Sequence, residues 1–123
     1  MWGYHLILDV SGLRCSVDKL NDVLYLKAFV AEMLDVTGMK AWGDCLVSRL
    51  TAEDGDFPDA LSGYTVVQLL HTSNLTMHVC DKADAIYFDL FSCSKFDSAA
   101  AVGVLQKYFE PQSVRETFLT RQA

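Results

Sequence analysis

Basic residues are scarce in this chain. It carries 10 Lys and Arg against 16 Asp and Glu, a formal net charge of -6. The cations are scattered singly, with no basic patch interleaved with aromatics. A nucleic-acid partner, whose phosphates want a basic face, is therefore not expected. Long hydrophobic runs are also missing. The apolar opening MWGYHLILDVSG is short, is broken by His5 and Asp9, and has no positive segment before it. It reads as neither a signal peptide nor a membrane span, so no membrane partner is expected and a cytoplasmic location follows as the default. The four cysteines, Cys15, Cys45, Cys80 and Cys93, have spacings of 30, 35 and 13, which match no common zinc pattern. Without an export signal they read as reduced thiols. The longest polar stretch, TAEDGDFPDALSG at 51–63, is acidic and carries one of only two prolines. It reads as a solvated surface loop, and no metal is expected there.

What is present is a core. Hydrophobic residues make up 51% of 123 positions, enough for one packed domain over 1–123 and too few residues for two. Residues 4–10 alternate as a strand, with Leu6, Leu8 and Val10 on one face. Ser16 or Asp18 can cap a helix running to about Val36, along which Leu20, Val23, Leu26, Phe29, Val30 and Leu34 recur at helical spacing. Gly38 ends that unit. Strands are expected at 40–50, 64–71, 75–79 and 85–92, with a Ser73–Asn74 turn between the middle pair. A second helix over about 97–108 is capped by Asp97 or Ser98 and stopped by Pro111, and 113–119 reads as a last strand. The order predicts an α/β two-layer sandwich, an antiparallel-rich sheet covered on one face by two helices. Segments such as VVQLL and AIYFDLF are apolar at successive positions, so the other sheet face needs a cover too. A homodimer is the simplest answer.

The segment 72–93, TSNLTMHVCDKADAIYFDLFSC, gathers three reactive side chains: Ser73, His78 and Cys93. Adjacent antiparallel strands are expected to bring them together. Taken alone, each has a structural reading: a turn serine, a hydrogen-bonded strand histidine, a core cysteine.

Together they resemble the small prokaryotic S-adenosylmethionine decarboxylases. That family's motifs run close to ESHxxxHTWPE and YxxxDxFTC, and this chain reads TSNLTMHVCDK and AIYFDLFSC, in register from Ser73 through His78 to Cys93. The separations, 5 and then 15, are the most specific part, and the opening HLILDVSG belongs to the likeness as well. The resemblance implies a proenzyme that cuts itself between Thr72 and Ser73, leaving a pyruvoyl group on the new N-terminus. Ser73 is similar to the serine that becomes that covalent cofactor, and His78 to a histidine that moves protons during processing. Thr65 matches a family serine whose hydroxyl helps, with Ser62 as the fallback. Cys93 is similar to the acid that returns a proton after a Schiff base with the substrate amine loses carbon dioxide. The implied substrate is S-adenosylmethionine, on the route to spermidine and other polyamines. Phe88, Phe91, Tyr64 and Trp2 are candidates to stack on its adenine or face its sulfonium. Sites shared between subunits are also implied.

Three positions depart from the pattern. Thr72 stands where Glu is common, Asn74 where a second His is common, and Lys82 where a carboxylate would grip the ribose. A lysine cannot accept a hydrogen bond, so Asp81 or Asp84 is expected to substitute. The departures keep two alternatives in view: a pyruvoyl-dependent decarboxylase of another amino acid, and a non-cleaving small-molecule-binding homologue.

Overall fold

The computed structural model describes residues 1–123. Its elements in chain order are β1 (Trp2–Leu13), α1 (Val17–Leu20), α2 (Val23–Thr37), β2 (Leu46–Leu50), a 3-10 turn (Asp59–Leu61), β3 (Gly63–Leu70), β4 (Ser73–Cys80), β5 (Ala85–Ser92), α3 (Ser98–Phe109) and β6 (Pro111–Gln122). The six strands form one sheet in the order β2-β3-β4-β5-β1-β6, antiparallel at every neighbour. Two longer helices cover one face, as the patterning predicts.

Each helix is built as its sequence dictates. Asp22 accepts from the backbone N–H groups of Leu24 and Tyr25 at the start of α2, and Gly38 ends it in the left-handed region at φ 70°. Leu26, Phe29, Val30, Met33 and Leu34 form its buried stripe. Asp97 caps α3, which buries Ala101, Val104, Leu105 and Phe109. The two helices meet through Phe29 and Phe109, with ring centroids 4.9 Å apart, and the Tyr25 hydroxyl donates to the Tyr108 carbonyl at 2.6 Å.

Strand alternation assigns every side chain to a face. The covered face carries rows such as Val47, Val66, Met77, Phe88 and Leu8, paired strand to strand. The open face carries one row of Leu69, Asn74, Phe91, His5 and Leu119, and another of Ser48, Thr65, His78, Tyr87 and Asp9.

Several boundaries move from their expected places. The expected helix from Ser16 or Asp18 to Val36 is broken at Asn21–Asp22, because Asp22 turns its side chain to cap α2 and so starts a new helix. The strand expected at 40–50 shrinks to five residues, since Gly43 takes φ 78° and leaves only an isolated bridge between Ala41 and Leu70. The turn expected at Ser73–Asn74 falls two positions earlier, at His71–Thr72. Thr72 occupies the left-handed region at φ 55°, and Ser73 is the first residue of β4. No helix is long and apolar enough to cross a membrane.

Candidate active site

The candidate residues form two groups at different places on the sheet. The first lies at the end of the sheet where β3 turns into β4. His71 and Thr72 form the turn, and Ser73 after it pairs in register with Leu70 on one side and Ser92 on the other. The carbonyl of Thr72 accepts from the backbone N–H of Cys93 at 3.1 Å. The Ser73 hydroxyl donates to the Ser92 hydroxyl at 2.7 Å. A polar cavity of about 200 Å³ opens beside them, with Lys40, His71, Ser94 and Lys95 in its wall. The exposed thiol of Cys93 faces a second cavity, of about 220 Å³, shared with Trp2, Gly3, Phe91 and Arg121. Gly3 makes room there: a Cβ at that position would stand 2.7 Å from the Phe91 ring, over which the Arg121 guanidinium sits.

The second group lies on the open face. Thr65 and His78 are cross-strand partners, and the Thr65 hydroxyl and His78 Nδ1 are 2.9 Å apart. The other ring nitrogen, Nε2, lies 3.0 Å from the Leu61 carbonyl oxygen, which can only accept. Nε2 therefore carries a proton, and a neutral ring leaves Nδ1 as the acceptor for the Thr65 hydroxyl. Thr76, Tyr87 and Asp89 complete a shallow depression of about 230 Å³ around the pair. His5 Nε2 lies 3.0 Å from the Asp89 carboxylate and steadies it from β1. Asp89 stands at the Asp of the YxxxDxFTC motif and His5 opens HLILDVSG, but only the strand register shows that Asp89 lies beside His78 and His5 beside Asp89.

Ser73 and His78 do not meet within the chain. Five steps along β4 separate them, about 16 Å at ~3.3 Å per residue, and an odd separation places their side chains on opposite faces. The expected three-way convergence is replaced by two pairs, Thr72–Ser73 with Cys93 and Thr65 with His78.

The expected substrate-binding residues also divide. Phe91 lines the Cys93 cavity, and half-exposed Trp2 stands at its rim. Phe88 cannot stack on a ligand: it is fully buried under α2 against Phe29, because its even step along β5 points it into the core. Tyr64 lies on the covered face beneath the Arg49 guanidinium. Asp81 is spent in a nearly buried cluster with Arg49 and Asn21, and Asp84 is spent on the backbone N–H of Leu13. Lys82, which stands where a carboxylate was sought, forms an ion pair with Asp59. That contact and the Ser62 hydroxyl hold the Asp59 carboxyl below its ordinary range. A carboxylate therefore does stand beside the His78 strand, supplied by the loop. Burial pushes the thiols of Cys15, Cys45 and Cys80 upward, with nearby Glu110 and Asp81 adding to the rise at Cys15 and Cys80.

Comparison with known proteins gives a consistent family. Residues 4–122 match the family described as S-adenosylmethionine decarboxylase. An S-adenosylmethionine decarboxylase proenzyme of Clostridium botulinum (strain Loch Maree / Type A3) is 29% identical over 120 residues, 93% of this chain and 90% of the relative. Its counterpart from the Langeland strain is 31% identical over 108 residues, 85% of this chain and 81% of the relative. The crystal structure of the adenosylmethionine decarboxylase from Aquifex aeolicus VF5 shares the fold, with a TM-score of 0.75 at 16% identity over 98% of this chain and 91% of that one.

Proposed function

The chain belongs to the S-adenosylmethionine decarboxylase family, and from that premise we propose that it is a proenzyme that cuts itself between Thr72 and Ser73. The activity is decarboxylation of S-adenosylmethionine, the step that supplies the aminopropyl donor for polyamine synthesis. Ser73 is assigned as the source of the pyruvoyl group. The observation that carries this assignment is the bond from the Cys93 N–H to the Thr72 carbonyl, at a peptide whose next residue offers a hydroxyl. An amide aimed at that oxygen stabilises the negative charge it gains when the serine attacks. The residues present fit a group made from Ser73, since the peptide sits in a tight turn beside two cavities. Once formed, the pyruvoyl group supplies an electron sink for loss of carbon dioxide. The Cys93 thiol, exposed in the cavity with Phe91, is placed to return a proton to the substrate carbon. Phe91, with the Arg121 guanidinium over its ring, offers a stacking surface to the adenine.

The open face supports a second copy of the chain as the missing half of the site. Leu46, Leu50, Leu69, Tyr87 and Leu119 are exposed on it, apolar side chains that a second copy would cover. A dimer closed through this face brings Thr65 and His78 of one protomer toward the sheet end that carries Ser73 and Cys93 in the other. Asp59, held by Lys82, then stands at the same seam as an acceptor for ribose hydroxyls, the role sought in Asp81 and Asp84.

Intact mass of the purified chain under denaturing, reducing conditions tests the reading. Two fragments meeting at Thr72–Ser73, the second bearing a pyruvoyl end, with carbon dioxide released from labelled S-adenosylmethionine, are expected. A full-length species that persists through long incubation sinks the assignment of Ser73. A split chain that decarboxylates only other amino acids overturns the substrate.

A further inference from the structure

We propose that Ser92 is the positioning residue of the self-splitting step: its buried hydroxyl holds the Ser73 hydroxyl in place for attack on the Thr72 carbonyl. The proposal rests on the reading that the chain splits at Ser73, and it assigns a role to a residue that reading does not use.

Ser92 is one of three fully buried polar residues, with 1% of its surface exposed. It is the last residue of β5 and lies directly across from Ser73 in the antiparallel register. Its oxygen takes two hydrogen bonds, from the Ser73 hydroxyl at 2.7 Å and from the Ser94 N–H at 3.0 Å. Both lone pairs of Ser92 are thereby occupied, so it cannot act as a net base. It can fix the direction of the Ser73 O–H and so leave the lone pairs of Ser73 free. The next residue, Cys93, holds the other reacting atom through its N–H on the Thr72 carbonyl oxygen. Two consecutive residues at the end of β5 therefore grip the nucleophile and the electrophile of one reaction. Fixing both partners in this way lowers the barrier by removing rotational freedom before reaction.

The step balances without any co-reactant. The Ser73 Oγ bonds to the Thr72 carbonyl carbon, and the bond from that carbon to the Ser73 nitrogen breaks. The hydroxyl proton ends on the freed amine, leaving an ester linkage in place of the amide. Reorienting the Ser73 hydroxyl slows this first step and none of those after it.

A cross-strand serine pair can also serve stability alone, and an isosteric comparison separates the two roles. Ser92→Thr keeps the hydroxyl and Ser92→Val removes it at nearly equal volume. Splitting is followed by intact mass, with thermal melting and oligomer mass as controls for folding. We expect Ser92→Val to split at least tenfold more slowly than Ser92→Thr while melting at a similar temperature. Hydroxylamine cleaves esters and spares amides, so the uncut Ser92→Val chain should resist it. Equal splitting rates for the two variants overturn the proposal. So does a slow Ser92→Val chain that hydroxylamine cuts, because the ester would then have formed without help. If Ser92→Val does not fold, Ser92→Ala takes its place against the same threonine control. Failure of the wild-type chain to split is a different result, which removes the Ser73 reading and this proposal with it.

Discussion

Thr72 carries the clearest local strain in the molecule. A β-branched residue at φ 55° holds its side chain close to its own backbone, at a cost of about 1–2 kcal/mol. Glycine relieves that strain but costs conformational entropy in the unfolded chain. In a Ser73→Ala background, where no splitting intervenes, Thr72→Gly should stabilise the fold by about 0.5–1 kcal/mol. That corresponds to a melting point a few degrees higher, and an unchanged or lower one refutes the strain. The thiols give a second prediction at this scale. Burial raises Cys15, Cys45 and Cys80 above their ordinary values, so each stays protonated at neutral pH, whereas Cys93 is exposed. The folded state holds those three protons more tightly than the unfolded chain does. Their contribution is complete below the ordinary thiol range and fades as the pH rises through the elevated values. Iodoacetamide at pH 8 should therefore label Cys93 first, as read by peptide mass. Early labelling of Cys15 or Cys80 would mean that the core opens. Residue types and the spacing from Ser73 to Cys93 were legible in the sequence. The bonds from the Cys93 amide to Thr72 and from the Ser73 hydroxyl to Ser92 were not, because backbone groups leave no mark on a motif, and Ser92, at the Thr position of the FTC motif, shows no partner until the strands are paired.

Among the elements, the β3–β4 hairpin matters most, since it sets Ser73 at one end and pairs Thr65 with His78 in the middle. Gly63 fixes its far end. A Cβ there would lie 1.8 Å from the Val79 carbonyl oxygen, at a φ of 155° that side chains rarely adopt. Gly63→Ala should destabilise the fold by roughly 2 kcal/mol or more in denaturant melts, the scale of a backbone clash in a core strand. A neutral result would mean that the hairpin end is loose. The loop before β3 responds to pH instead. Lys82 depresses the Asp59 carboxyl, so their contact is complete above the ordinary carboxylate range and is lost as the pH falls through the depressed value. Protection factors of the amides at 59–62, which discount the slower intrinsic exchange in acid, should fall over that interval, and added salt should lower them further because the pair is exposed. The helices and the central strands were readable from periodicity. The break at Asn21–Asp22 and the shift of the turn to Thr72 were not. Each depends on one side chain or one dihedral choosing between competing local structures, and such a choice is settled by packing.

For the whole molecule, the separation of Ser73 from His78 is the central fact, and it turns the sheet's uncovered face into a question about partners. Periodicity already indicated that this face needs a cover. The sequence alone could not show that it carries half of the candidate chemistry, because His78 is only five positions from Ser73 and proximity in sequence suggested contact. Strand geometry reverses that inference: an odd step sends the two side chains to opposite faces. If each site combines Ser73 and Cys93 from one protomer with Thr65 and His78 of the partner subunit, two inactive variants should repair each other. Ser73→Ala has no nucleophile, and His78→Ala has no imidazole. In a mixed dimer one site joins the intact Ser73 of the second variant to the intact His78 of the first, while the other site carries both lesions. Co-expression with distinguishable tags, followed by isolation of the mixed dimer, should show splitting of the His78→Ala chain and about half the wild-type rate of carbon dioxide release. Each variant expressed alone should remain nearly inert. Leu69→Asp supplies the control, because a charge on the open face should dissociate the dimer and abolish the repair while the helix-covered core stays folded by circular dichroism. Repair that is absent in a verified mixed dimer would place the whole reaction inside one protomer, and Ser73 would then have to reach His78 by a rearrangement of β4.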